Sequence, residues 1–186
     1  MSKLIYFMPT SLDGFIAGET DNFDWSAPDE EVMAFIADRL RPIGTYLYGR
    51  KNYEVMTVWE TPDVMPSLTP AMMDFARIWQ AADKLVYSKS LATVSTPKTR
   101  LEREFDPQAV RDLKVQLPHD ISVAGPNLAA QAIRAKLVDE YQLLVVPTVL
   151  GGGKRILPSN VNVKLDLLDE RRVGNGWVYL RYRTRV

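Results

Sequence analysis

The sequence predicts an α/β protein with one mostly parallel central sheet, helices on both faces and an antiparallel C-terminal hairpin. Three observations carry that prediction. Short apolar runs alternate with stretches of helical periodicity along most of the chain. Leu4-Ile5-Tyr6-Phe7-Met8 is continuously apolar and Tyr141 to Val149 nearly so, the pattern of strands covered on both faces. The last two runs instead alternate apolar and polar residues, and Gly174-Asn175-Gly176 joins them with a hairpin signal.

The elements follow in order. Leu4 to Met8 reads as a central strand ending at Pro9, with a turn at Ser11-Leu12-Asp13-Gly14 and a polar loop from Gly18 to Phe23. Pro28-Asp29-Glu30-Glu31 starts a helix, with Pro in the first turn and acids near the positive end of the helix dipole. Val32, Phe35, Ile36 and Leu40 form its apolar face, and Pro42 ends it. Thr45 to Tyr48 is a short strand running into Gly49, followed by a helix from about Lys51 and a proline-rich loop through Pro62 and Pro66. Pro70 to Ala82 is helical, with Met72, Phe75, Ala76 and Trp79 on one face. Lys84 to Tyr87 and Arg100 to Phe105 are strands, and Asp106 caps a helix reaching Leu117. Ile121 to Ala124 is a strand that breaks at Gly125-Pro126, and Asn127 to Leu137 is a helix. Tyr141 to Val149 is the next strand; Gly151-Gly152-Gly153 reads as a flexible turn after it. Strands at about Lys164 to Val173 and Trp177 to Arg185 close the chain. With no internal repeat, low-complexity tract or linker, residues 1–186 read as one domain.

Composition narrows the function. Hydrophobic residues make up 46% and charged residues 25%, as in an ordinary globular core-forming protein. Lys plus Arg and Asp plus Glu both number 23, so nothing draws the whole chain to nucleic acid or an anionic membrane. A local basic pocket for one phosphate remains compatible with that balance. The lack of Cys excludes disulfides, thiolate metal sites and Cys nucleophiles. The single His, His119, excludes multi-His metal sites and reads as an exposed loop residue between Pro118 and Asp120. No metal is expected. The first apolar run is too short for a signal sequence or a membrane span, so the expected location is cytoplasmic.

Open α/β sheets bind ligands beyond the carboxyl ends of their strands. Three such ends carry unusual residues. Gly49-Arg50-Lys51-Asn52-Tyr53-Glu54 joins a strand to a helix, where helix N–H groups and two cations suit a phosphate; a solvated helix start explains the same residues. Tyr87-Ser88-Lys89-Ser90 offers two hydroxyls and an ammonium, and a polar turn explains it equally. Ala124-Gly125-Pro126-Asn127-Leu128 lets a pyrophosphate approach the backbone without matching the GxGxxG fingerprint. Gly151-Gly152-Gly153-Lys154 lacks the Walker A spacing.

Taken in order, Ser11 to Ala17, Gly49 to Glu54, Val86 to Ser90, Val123-Ala124-Gly125, Leu137 to Glu140 and Pro147 to Gly153 resemble the dihydrofolate reductase-like family. The branch they are most similar to contains the reductase domain of bifunctional riboflavin biosynthesis proteins. The resemblance covers nearly the whole chain. It implies that Arg50 reaches an adenosine 2′-phosphate, with Ser88 and Lys89 completing that pocket. Gly49, Lys51 and Asn52, the last in place of the usual Thr, would serve the diphosphate region with Ala124, Gly125, Pro126, Asn127 and Leu128. Ile16 and Ala17 match the loop over the nicotinamide, and Met8 and Pro9 the end of the first strand beside the reacting ring.

On the substrate side, Trp25-Ser26-Ala27-Pro28-Asp29-Glu30 is similar to the stretch carrying the pterin-binding carboxylate of folate enzymes. That puts Glu30 at the carboxylate position, with Trp25 and Asp29 beside it; helix-dipole acids are the plain alternative. Two departures stand out. Leu143-Leu144-Val145 lacks the Thr of folate enzymes, and Val123 or Ala124 stands where riboflavin-type reductases usually carry an acid. The resemblance thus implies an NADPH-dependent reductase transferring hydride to a C=N or C=O of a pterin-like, ribityl-pyrimidine-like or other small substrate. NADPH is expected over NADH because Arg50 and Lys89 lie at neighbouring strand ends. Glu30, then Asp13, are the candidate proton donors, with a pKa raised by desolvation; Asp13 also reads as a turn-stabilising residue before Gly14. A homodimer is expected, partly because the riboflavin-type reductases that the chain resembles commonly dimerise, and partly because the terminal hairpin is rich in aromatics, Trp177, Tyr179 and Tyr182, for a small sheet to cover. The alternative is a non-catalytic nucleotide-binding or structural dimer that keeps the fold.

Overall fold

Leu4 and Tyr6 are buried against one face of the sheet, Ile5 and Phe7 against the other, as the unbroken apolar run requires of a central strand. The computed structural model describes residues 1–20, 22–65 and 67–185; Pro66, in the proline-rich loop, lies outside the described residues. The chain runs β1 (Leu4–Ser11), β2 (Phe15–Ala17), α1 (Glu30–Leu40), β3 (Ile43–Gly49) and α2 (Arg50–Met56). It continues through α3 (Pro70–Ala81), β4 (Asp83–Tyr87), β5 (Thr99–Glu102), α4 (Pro107–Gln116), β6 (Asp120–Ala124) and α5 (Pro126–Arg134). β7 (Glu140–Val146), β8 (Lys154–Arg155), β9 (Leu165–Val173) and β10 (Trp177–Thr184) complete it.

Eight strands form one sheet in the order β5-β4-β3-β6-β1-β7-β10-β9. Neighbours from β5 to β7 are parallel, while β10 runs antiparallel to both β7 and β9. One core cluster joins α1 and α3 to one face; a second joins α4 and α5 to the other. The expected architecture is therefore the observed one. Among the described residues no helix is long and apolar enough to cross a membrane.

β1 passes through Pro9 and ends at Ser11 instead of stopping at Met8. The reason lies in the direction of its donors. Lys3 bonds toward β6, through Asp120 and Ile121, and Leu4 toward β7, through Asp139. Odd-numbered residues therefore point to β6, whose pairing with β1 stops at Tyr6. Pro9 turns its missing N–H to that open side, where no ladder bond is lost.

Other boundaries moved for local reasons. Pro28 lies outside α1, because Asp29 is the cap: its Oδ1 accepts from Val32 N at 2.8 Å. α5 stops at Arg134, short of Leu137. Lys136 takes φ 55°, and Leu137 N and Lys136 N donate back to Ala132 O and Ile133 O, a Schellman end. β7 ends at Val146, before Pro147. The short antiparallel pair β2–β8 was too brief to show a period.

Two expectations are corrected. His119 is not a free loop side chain: it is half-buried, its Nε2 lies 3.0 Å from Thr45 Oγ1, and its ring fills the space where Gly44 lacks a side chain. The hairpin aromatics do not wait for a second copy. Trp177 and Tyr179 are buried in the chain's own core, with Phe35 of α1 edge-on to Tyr179 at 4.9 Å, and Tyr182 packs on the opposite face. That argument for a dimer falls away.

Candidate active site

Past Tyr6, β1 and β6 are no longer paired, although β1 and β7 stay bonded to Ser11 and Val146. This is where strand order reverses, the position at which open α/β sheets form their ligand crevice. A cleft of about 970 Å³ opens there, at the upper end for small-molecule sites. The residues expected at a cofactor converge on it: Ile16, Ala17, Gly49, Arg50, Lys51, Asn52, Ser88, Lys89, Ala124, Gly125, Pro126, Asn127 and Leu128 all line the cleft, with Met8 and Pro9.

Its charge is one-sided. Among the described residues, Arg50, Lys51, Lys89, Arg103 and Lys154 line it against a single carboxylate, Glu104, in a chain of zero net charge. Arg50 Nη1 donates to Ser90 Oγ at 3.4 Å, tying the start of α2 to the loop after β4, and Arg50 Nε lies 3.7 Å from Glu54. Ser88 Oγ accepts from Leu91 N, and Arg103 donates to Ser88 O and Leu91 O, so that loop is closed on itself. The Lys89–Glu104 pair at 3.4 Å is largely exposed on both sides and fixes little. Neither α2 nor α5 has a side-chain cap or an acid in its first turn. Gly125 holds φ 92°, a conformation that L side chains rarely adopt, and an added Cβ would lie 3.5 Å from Asn52 Cβ. Uncapped N–H groups, close backbone approach and converging cations can hold a phosphorylated ligand.

β2 covers one side of the cleft. Asp13 anchors it: its carboxylate accepts from Ser11 Oγ, from Leu150 N at 3.1 Å and from Gly151 N at 2.7 Å. The Ser11 hydroxyl first, then the Leu150 amide, hold its pKa down at about 2. The raised pKa expected for Asp13 is thereby corrected; this group is an ionised anchor. The glycine run is likewise more than a flexible turn. Gly153 has φ 124°, and a Cβ there would meet Ala17 O at 2.1 Å, so only glycine lets this segment lie against β2.

The expected substrate carboxylates do not reach the cleft. Glu30 is exposed, and its Oε1 accepts from Ala71 N at 3.2 Å, linking the starts of α1 and α3. Asp29 caps α1, and its other oxygen accepts from Asn175 N in the hairpin turn at 3.3 Å. Trp25 donates to Asn22 O and packs against the α1–α3 core; its neighbours Phe23, Ser26 and Pro28 line the cleft instead. The inner arm is walled by Phe7, Met33, Ile36, Leu40, Tyr46, Tyr48, Met56, Trp59, Phe75 and Trp177, all from the α1–α3 core cluster or packed on it. Tyr46 and Tyr48 stack at 5.4 Å. Tyr48 Oη accepts from Trp79 Nε1, while the buried Tyr46 hydroxyl has no partner among the described residues. Burial pushes both phenols up, so they stay neutral.

Sequence reasoning passed over these walls because apolar residues at helical or strand spacing read as core. It also missed Arg103, Lys154 and the tilted ring pair Tyr87–Phe105, 5.6 Å apart, beside Ser88. For Lys154 a signal existed, the cation directly after the glycine run, but only the β2–β8 pairing brings it to the cleft.

Known proteins share this fold. The chain is 31% identical to YyaP of Bacillus subtilis, an uncharacterised protein, across 97% of this chain and 94% of YyaP. Its fold matches a protein from Shewanella sp. PV-4 assigned to riboflavin biosynthesis, with a TM-score of 0.77 at 18% identity and full coverage of both chains. It also matches a pyrimidine reductase-like protein from Corynebacterium diphtheriae, with a TM-score of 0.69 at 14% identity, over 100% of this chain and 92% of that one. The fold is dihydrofolate reductase-like. The sequence model of the RibD C-terminal domain matches residues 2–179, and the chain belongs to that family of reductase domains.

Proposed function

We propose that this protein is an NADPH-dependent reductase that transfers hydride to a C=N or C=O of a small molecule. The observation that carries the reading is the set of five cations lining the cleft, with the uncapped starts of α2 and α5, in a chain of zero net charge. That donor set fits a dinucleotide bearing an extra phosphate. Arg50, Ser88 and Lys89 would hold the 2′-phosphate, and Asn52, Gly125 and the first turn of α5 the diphosphate. A nicotinamide ring beside Met8 and Pro9, under Ile16 and Ala17, supplies the hydride when bound. The chain itself contributes orientation and exclusion of water, worth several kcal/mol when reacting atoms are held near contact. Among the described residues no carboxylate lines the inner arm, and water would supply the proton. The small-molecule acceptor takes that arm; the working unit is a homodimer, as the family resemblance implies, and its place is the cytoplasm, as the short first apolar run suggests.

Calorimetric titration tests the cofactor. NADPH is expected to bind more tightly than NADH, and Arg50→Ala to weaken NADPH about ten- to a hundredfold through loss of a charge-assisted contact of about 1.5–3 kcal/mol. Equal affinity for both nucleotides, unchanged in Arg50→Ala, overturns the assignment.

A further inference from the structure

The cleft divides by chemistry along the sheet. Its six charged lining residues are Arg50, Lys51, Lys89, Arg103, Glu104 and Lys154, and none belongs to the core cluster that walls the inner arm. The arm is instead lined by Met33, Ile36, Tyr46, Trp59, Phe75 and Trp177. Trp59 stands edge-on to Phe75 at 4.6 Å, and the Tyr46 and Tyr48 rings stack within 6° of parallel. Flat aromatic walls suit a flat ring. A phosphate or carboxylate in this arm would lose its hydration without gaining a cation. A pterin would find no carboxylate for its ring nitrogens, because Glu30 is turned to Ala71 and Asp29 to Val32 and Asn175. Among the described residues the arm's titratable groups are the Tyr46 and Tyr48 phenols, and burial raises the pKa of both, which makes them poor proton donors near neutral pH. An acceptor reduced here must be electrophilic without prior protonation.

We infer that the acceptor is an uncharged, flat, conjugated ring carbonyl of the quinone class, bound in the aromatic arm between α1, α3 and the sheet. This rests on the NADPH reading above. The quinone gains a hydride, with both electrons of the nicotinamide C4–H bond, and one proton from water. It leaves as the hydroquinone, and NADPH leaves as NADP⁺. The orphan Tyr46 hydroxyl is consistent with a ligand bearing a single hydrogen-bonding oxygen at that end of the arm.

Menadione is the probe. Its binding to the NADP⁺-loaded protein is read by quenching of tryptophan emission, since Trp59 and Trp177 wall the arm. Turnover is read as NADPH oxidation against menadione, dihydrofolate and 5-amino-6-(5-phosphoribosylamino)uracil. The expected result is quenching that is reduced in Trp177→Phe and in Trp59→Phe. The expected kcat/KM for menadione is about a hundredfold above that for either charged acceptor. Equal or better turnover of a charged acceptor overturns the inference, and so does NADPH binding without menadione quenching. If NADPH itself does not bind in the calorimeter, the broader reading fails first, and the two failures are told apart.

Discussion

Glu30 shows how a sequence pattern and a site can part company. Its place at the start of the first helix matches a pterin-binding carboxylate, yet in the folded chain it accepts from Ala71 N and stays outside the cleft. Glu30→Gln is therefore expected to leave kcat and NADPH affinity unchanged. It should lower stability by about 0.5 kcal/mol or less, a Tm shift of roughly 1–2 °C, as an exposed polar link allows. A collapse of kcat with NADPH binding retained would return Glu30 to the chemistry. The cationic side of the cleft was legible at this scale because glycines and cations at strand ends advertise themselves: Gly49, Arg50, Lys89 and Gly125 stand out against apolar strands. The aromatic side was not. Met33, Ile36 and Phe75 carry the same helical spacing whether they meet another helix or a ligand, and only three-dimensional packing separates the two.

Elements were legible wherever periodicity ran long enough, and they shifted where a single hydrogen bond decides the boundary. α1 is the clearest case. Asp29 closes its N-terminus and also holds the β9–β10 turn through Asn175 N, where Gly174 packs against Val32 and Asp29 with φ 49°. One carboxylate thus joins elements far apart in sequence. Asp29→Ala loses the cap and this link, and is expected to cost about 1–2 kcal/mol, or roughly 2–8 °C in Tm by thermal denaturation. Asp29→Asn keeps an oxygen for the cap and should recover most of the loss. A Tm unchanged in the Ala variant would show that neither bond contributes to stability. Nothing local could have revealed the partner, because Asn175 lies in the C-terminal hairpin, 146 residues further along the chain.

Across the whole molecule, the sheet separates two tasks. The strand ends and the starts of α2 and α5 carry glycines and cations of the cleft, and the α1–α3 face carries its aromatic arm. The crevice between them exists because β1 keeps β7 and releases β6. That division explains how a chain with no net charge holds a strongly cationic groove beside an apolar one.

The anchoring of β2 has a consequence for the time course of binding. Its latch consists of Asp13 on Leu150 N and Gly151 N, Phe15 N on Ser11 Oγ, Ile156 N on Gly14 O, and the β2–β8 ladder. A cover already fastened has nothing left to close when the nucleotide arrives. In stopped-flow fluorescence, NADPH association is expected to be one exponential whose rate climbs linearly with concentration; a plateau would reveal a closing step. The Asp13 carboxylate is held below its ordinary value, so its share of the latch is complete above that value and vanishes as pH falls through about 2. Single-phase arrival should therefore survive in mildly acidic buffer. An Asp13→Ala variant should acquire, at neutral pH, the slow second phase that an unfastened cover imposes.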